Sequence, residues 1–177
     1  MSIQTDDEMA AVEVTHSPAR ISSAITVGAA LVAVLSTGIF QTLALGIGVG
    51  GVAGVAGGLF GLQSERLTVA GVGIVFIGVI VSGAFGPTPP EFLLFGTLAN
   101  IIAFDLANNA FSVGRQLSAE TDTNRGEVVH AAATIAVGVV AAGLAFGIYL
   151  VPLGELTVAG LAFLLFGAML LVWAIRS

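Results

Sequence analysis

The chain has 177 residues, of which 56% are hydrophobic and only 9% are charged, and its mean hydropathy is +1.05. Because soluble domains carry about 25% charged residues, this composition excludes an ordinary water-soluble domain and favours a protein embedded in lipid. Five basic residues against eleven acidic ones give a net charge of −6, which argues against a nucleic-acid partner, and a chain without cysteine has no disulfide or thiolate chemistry.

Residues 1–17 are predicted to form an acidic cytoplasmic tail, because they lack the basic start of a secretory signal peptide. Between Ile21 and Ser64 no side chain is charged. A helix crosses the hydrocarbon core in about 20 residues, so this run is long enough for two passes with a break near Gln41. Residues 18–177 are therefore predicted to be a transmembrane domain.

The remaining spans are delimited by helix start and stop signals. Ser17 and Pro18 suit the start of the first helix, and the proline-rich segment 86–90 cannot continue the third. Asn124 and Glu127 have the spacing of a capping box at the start of the fifth. The sequence thus predicts an all-α, polytopic integral membrane protein with six transmembrane helices, over about 19–40, 42–62, 67–85, 91–114, 127–151 and 155–175.

The arginines support this count of spans. In a six-span alternation all five fall on one side of the membrane. Basic residues mark the cytoplasmic side, so both termini are predicted to be cytoplasmic and the location is the cell membrane. The residues concerned are Arg20, Arg66, Arg115, Arg125 and Arg176.

The second span contains the stretch GIGVGGVAGVAGGLFG, residues 46–61, whose start also satisfies the G-x-G-x-x-G pattern of nucleotide sites. That pattern needs a preceding strand and a following helix, whereas these glycines lie inside an apolar helix. Small residues at four-residue spacing let neighbouring helix backbones approach closely, so we interpret them as packing positions. The predicted helix-packing residues are Gly46, Gly50, Gly54 and Gly58, with Gly143 and Gly147 in the fifth span.

The string LTVAG occurs at residues 67–71 and again at 156–160. At the same offset Gly54 matches Gly143 and Gly58 matches Gly147. Each half of the chain would hold three helices, so the halves would face opposite ways in the bilayer, as in the 3+3 inverted repeats of many transporters. The alternative is coincidence within a restricted apolar alphabet, since the first and fourth helices show no match.

The fourth span has the only acidic residue deep inside a helix, Asp105. Polar side chains share roughly half of that helix circumference with it, and Asn100, Asn108 and Asn109 are the candidates for a common intramembrane site. One interpretation is a proton or cation relay or a polar solute site, and the other is interhelical hydrogen bonding. For Asp105, Asn109 or an arginine of another helix is the expected partner, and His130 is expected to be solvated.

The segment FDLANNAFSVGRQLSAETDTNRGEVVHAAATIAVGVVAAGLAFGIY, residues 104–149, resembles an uncharacterised family of short multi-pass membrane proteins of halophilic archaea. The acidic composition, with arginine but no lysine, fits such a source. The resemblance implies a gene beside a MoxR-type ATPase and a companion with a von Willebrand-like domain, and hence a role in assembly or maturation at the membrane. It implies no catalytic residue.

Two functions follow as hypotheses. The first is a non-catalytic component of a membrane-bound assembly or maturation complex, which a cytoplasmic ATPase-linked partner contacts through residues 115–128. The second is a small secondary transporter or channel with its site at Asp105. No nucleophile–base pair, metal-ligand cluster or Walker motif is recognisable in the sequence, so we expect no enzyme activity, no catalytic residues, no cofactor and no metal. The lipid bilayer is also a predicted partner, and a homo-oligomer is left open.

Overall fold

The computed structural model describes residues 17–116, 124–150 and 169. Over these residues the all-helical prediction is confirmed, and no strand occurs among them. The helices are α1 (Arg20–Gly38), α2 (Thr42–Ala56), α3 (Glu65–Phe85), α4 (Pro90–Gln116) and α5 (Asn124–Leu150), and a π-helical turn, Gly57–Gly61, extends α2. The sixth predicted span, 155–175, lies outside the described residues except for Met169, so six spans and the repeat stay predictions.

Each of the five helices is long and apolar enough to cross a membrane, with α2 and its π-helical turn counted as one span, Thr42–Gly61. Large apolar side chains lie on the outside of these helices: Leu35 is 56% exposed, Ile77 52% and Val137 70%. Soluble monomers rarely expose large contiguous apolar surfaces to water, so the five helices indicate a membrane location.

The first helix begins at Arg20, two residues after the predicted proline start. Ala19 occupies the N-cap position and has no side-chain cap hydrogen bond. The backbone N–H of Ala19 instead donates to the carbonyl of Ala110 in α4, at 3.0 Å. This contact holds the residues before α1 against α4, and explains why Pro18 precedes the helix rather than opening it.

Helix α1 packs along α4 through small side chains. Ala30, Ala33 and Ala103 are completely buried there, and Ala107 is 1% exposed. Alanine allows two helix backbones to approach closely, and close approach is the main source of helix association in lipid. The interface between α1 and α4 is therefore a closed, small-residue contact.

The second close contact joins α2 and α3 through glycine. A Cβ atom on Gly71 would lie 2.5 Å from the backbone nitrogen of Val55 and 2.8 Å from the carbonyl oxygen of Gly51. A Cβ on Gly51 would in turn lie 2.7 Å from the backbone nitrogen of Val75. Any side chain at these two positions would push the helices apart.

The structure distributes the predicted packing glycines over different environments. Gly54 and Gly58 lie against α3, where added Cβ atoms would meet Gly71 and Thr68. The other four predicted positions have no atom of the described residues within 4 Å of an added Cβ: Gly46, Gly50, Gly143 and Gly147. Residues spaced by four rotate by about 40° per step around a helix of 3.6 residues per turn. Residues that stay on one face are therefore spaced alternately by three and by four.

The described arginines lie at one end of the bundle, which we call the basic end. The start of α1 contacts the end of α4 there, Arg115 of α4 forms an ion pair with Glu65 at the start of α3, and Glu127 of α5 contacts α1. The described arginines at these helix ends are Arg20, Arg66, Arg115 and Arg125, and Arg176 is outside the described residues.

The opposite end is held by aromatic and hydroxyl contacts. The rings of Phe40 and Phe92 meet edge to face with their centroids 5.0 Å apart. The buried hydroxyl of Ser82 donates to the carbonyl of Thr37 at 2.8 Å and lies 2.6 Å from the hydroxyl of Thr88. Among the described residues no arginine lies at this end, where Glu91 occupies the first turn of α4.

Candidate functional site

Asp105 of α4 is held by two side chains of α5. One carboxylate oxygen, Oδ2, lies 3.0 Å from Nε2 of His130 and accepts a hydrogen bond from the hydroxyl of Thr134 at 2.7 Å. The side chains of Asp105 and His130 are 43% and 42% exposed. We call Asp105, His130 and Thr134 the acid–imidazole cluster. It joins α4 to α5 within the span.

Helix α5 contacts the rest of the described bundle along one narrow face. His130 and Thr134 are four residues apart and so project from the same side of the helix. Glu127 and Ala131 on that side are each 3% exposed, and a Cβ on Gly138 would lie 2.6 Å from Cδ1 of Leu98. Most other described positions of α5 are exposed. The polar contacts therefore carry much of the attachment of α5.

The partners of Asp105 differ from those expected. Asn109 does not donate to Asp105 but to the hydroxyl of Ser22 in α1, at 3.1 Å. The ring of His130, which was expected to be solvated, contacts Asp105, although its side chain is still 42% exposed. A signal for this pairing was present in the sequence: two helices joined by a short loop pack antiparallel, which brings polar residues at similar distances from the loop together.

Glu127 is a second residue that sequence reasoning assigned only to the start of its own helix. It is buried, and one carboxylate oxygen accepts the backbone N–H of Ser22 in the first turn of α1, at 2.7 Å. The first N–H groups of a helix lack partners within the helix, and their positive end favours an anion. Glu127 therefore caps α1, whose own N-cap residue, Ala19, has no side-chain acceptor.

The four predicted site residues do not form one cluster. Asp105 belongs to the acid–imidazole cluster, and Asn109 lies one turn closer to the basic end, bonded to Ser22. Asn100 is only 6% exposed and its Oδ1 atom has no hydrogen-bond partner. It projects about 140° around the helix from Asp105. Asn108 is half-buried. The polar stripe is therefore divided among several contacts.

The acid–imidazole cluster has the composition of a proton-exchanging group rather than of a metal site. Among the described residues no three His, Cys, Asp or Glu side chains converge. A carboxylate beside an imidazole can hold and release a proton, since histidine is the side chain that ordinarily changes charge between pH 5 and 8.

Comparison with known protein families identifies the family of this chain. A family model described as a family of unknown function (DUF7519) matches residues 16–172. The chain belongs to this family. The match spans α1 to α5 and includes both sides of the acid–imidazole cluster. No curated protein and no solved structure matches the chain. The expected membership of an uncharacterised family is confirmed, whereas the archaeal source and the ATPase linkage stay predictions.

The hydroxyl of Thr134 provides a direct test of the attachment of α5. Thr134→Val keeps the shape of the side chain and removes the hydrogen bond to Asp105. Interhelical hydrogen bonds in membranes contribute about 0.6 to 1.7 kcal/mol. We expect the variant to lower the free energy of unfolding by about 1 kcal/mol, measured by denaturant titration in mixed micelles. Thr42→Val, at the exposed start of α2, is the control. Equal stability of the Thr134 variant and the wild type would contradict a structural role for this bond.

Proposed function

We propose that this protein is a non-catalytic component of a membrane-bound assembly or maturation complex. The observation that carries the proposal is the set of contacts made by Asp105, the one acidic residue deep in the described spans. Asp105 contacts two side chains of α5 within hydrogen-bond distance, and such contacts hold two helices together. The small-residue contacts between α1 and α4 and between α2 and α3 support the same interpretation, because they make a close-packed frame.

The basic end supplies the surface on which a cytoplasmic partner would dock. Arg115 and Arg125 flank the polar connection between α4 and α5, and both are exposed. The connection itself, residues 117–123, contains two acidic residues, Glu120 and Asp122. Charged side chains around a docking surface speed encounter and select partners of opposite charge. Residues 115–128 are therefore the proposed contact for an ATPase-linked partner.

Co-purification tests this proposal. The tagged full-length protein is solubilised from its native membranes in a mild detergent, and the associated proteins are identified by mass spectrometry. We expect a cytoplasmic ATPase, or a protein bound to one, to be retained. Replacing residues 117–123 by a Gly-Ser linker of equal length should release it without loss of the membrane protein. A preparation that contains this chain alone, with and without cross-linking before solubilisation, would contradict the proposal.

The partial exposure of the acid–imidazole cluster favours a second candidate, a small secondary transporter or channel. A cluster in which both titratable side chains keep more than 40% of their surface open is accessible to a permeating ion. In reconstituted vesicles this candidate predicts that Asp105→Asn abolishes ion flux while the amount of folded protein is unchanged. Loss of the folded protein, or absence of flux in the wild type, would reject it in favour of the fastening role.

A further inference from the structure

The proton of the acid–imidazole cluster can be placed from its hydrogen bonds. Oδ2 of Asp105 accepts from the hydroxyl of Thr134, as an oxygen of an ionised carboxylate does. The contact of 3.0 Å between Oδ2 and Nε2 of His130 is then a hydrogen bond that Nε2–H donates. The second ring nitrogen, Nδ1, is left as the atom to which a further proton can add.

We propose that Asp105 and His130 form a proton-binding site within the membrane span. In the binding step one proton from a hydronium ion, which becomes water, forms a bond to Nδ1 of His130, and the neutral ring becomes an imidazolium. The N–H group at Nε2 continues to donate to Asp105, so no existing bond is broken. The charge of the pair changes from −1 to 0.

A proton fits this site better than a metal ion does. Protein zinc sites have three or four N, S or O ligands, and Ca²⁺ takes six to eight oxygens. The described surroundings of the pair supply one carboxylate, one imidazole and one hydroxyl, and no group of three His, Cys, Asp or Glu side chains occurs among the described residues. An anion is disfavoured by the carboxylates of Asp105 and Glu127.

The surroundings of the pair favour neutralisation by proton uptake. The α1 residues near this contact, Ser22, Ile25 and Ala29, carry no charge. Glu127 lies one turn closer to the basic end and directs an oxygen to α1, and Arg115 is paired with Glu65. Asp105 is therefore the charge within hydrogen-bond reach of His130. Charged side chains are costly within a membrane span, and one bound proton makes the pair neutral.

A second polar contact lies between the site and the basic end. Asn109 donates to the hydroxyl of Ser22, whose backbone N–H donates to Glu127. Asn109 follows Asp105 by four residues in α4, and Glu127 precedes His130 by three in α5, so the two contacts are about one helical turn apart. These polar groups, of which Ser22 and Glu127 are buried, therefore lie between the site and the aqueous phase at the basic end.

Nitrogen NMR of the full-length protein in phospholipid bilayers tests the proposal. In a His16→Ala background, His130 is the only histidine, and ¹⁵N-histidine labelling reports its two ring nitrogens separately. Between pH 8.5 and 5 we expect His130 to change from the Nε2–H tautomer to the imidazolium. Asp105→Asn should weaken proton binding at His130, because it removes the carboxylate charge beside Nε2. Glu91→Gln removes a carboxylate at the far end of α4 and should leave the affinity unchanged.

Three results would overturn the proposal: a ring that stays neutral down to pH 5, an Asp105→Asn variant with the wild-type affinity, or a shift produced by added ZnCl₂ at constant pH. If Asp105→Asn does not fold, the tautomer of the neutral His130 ring in the wild-type protein tests the proposal instead. An Nδ1–H tautomer would contradict the hydrogen bond from Nε2–H to Asp105. The measurement needs no partner protein, so its outcome is separate from that of the proposed assembly function.

Discussion

Replacing Gly71 by leucine is expected to prevent normal packing of α2 against α3. A Cβ at this position would lie 2.5 Å from the nitrogen of Val55 and 2.9 Å from the carbonyl carbon of Gly54, and both are backbone atoms that no rotamer change can move. Overpacking of a close contact ordinarily costs about 1 to 3 kcal/mol, and displacement of a whole helix costs more. We expect Gly71→Leu to lower the free energy of unfolding by about 3 kcal/mol or more.

Gly73 is the matched control for this substitution. It lies two residues further along the same helix, and an added Cβ has no described atom within 4 Å. Gly73→Leu should change the free energy of unfolding by no more than about 1 kcal/mol. Denaturant titration in mixed micelles and the elution profile on size exclusion compare the two variants. Equal stabilities would mean that the close approach of α2 and α3 does not stabilise the protein.

Glu127→Ala is expected to have the second large effect. The substitution leaves the N–H group of Ser22 without the carboxylate that accepts it, in a place where Ser22 is completely buried. A buried donor that loses its acceptor costs about 1 to 3 kcal/mol, more when the acceptor was charged. We therefore expect the free energy of unfolding to fall by about 2 to 3 kcal/mol, and hydrogen exchange in the first turn of α1 to become faster.

Two further variants separate the possible causes. Glu127→Gln keeps an oxygen that can accept from Ser22 and removes only the charge, so it should recover part of the lost stability. Glu91→Ala removes an exposed carboxylate from the first turn of α4 and should cost less than about 1 kcal/mol. Protection of the α1 amides in Glu127→Ala equal to that in the wild type would show that Glu127 does not cap α1.

The properties that could be predicted from the sequence are those that depend on local composition. The five described helices reflect apolar runs of the length of a membrane span, separated by polar residues or proline, and both signals are local. The common position of the described arginines also follows from counting spans. Even so, the start of α1 was misplaced, because Ala19 bonds to Ala110, a residue far away in the chain.

The properties that the sequence did not reveal depend on how helices are rotated against one another. A single helix pattern shows that Asp105 is polar and deep, but its partners His130 and Thr134 follow only from the orientation of α5. Likewise Glu127 fits a local cap, although its oxygen caps another helix. The four-residue spacing of the glycines is visible in the sequence. Which of them contact α3 depends on where α3 lies, and the spacing does not show this.

The described helices are expected to cross the bilayer with their basic ends on one side. Because the chain has no cysteine, single cysteines can be introduced without a background. Ser64→Cys and Gln116→Cys mark the basic end, and Gln41→Cys and Glu91→Cys mark the opposite end. We predict that a membrane-impermeant maleimide labels the first pair only in inverted vesicles and the second only in right-side-out vesicles. Labelling of all four positions from the same side would contradict the account.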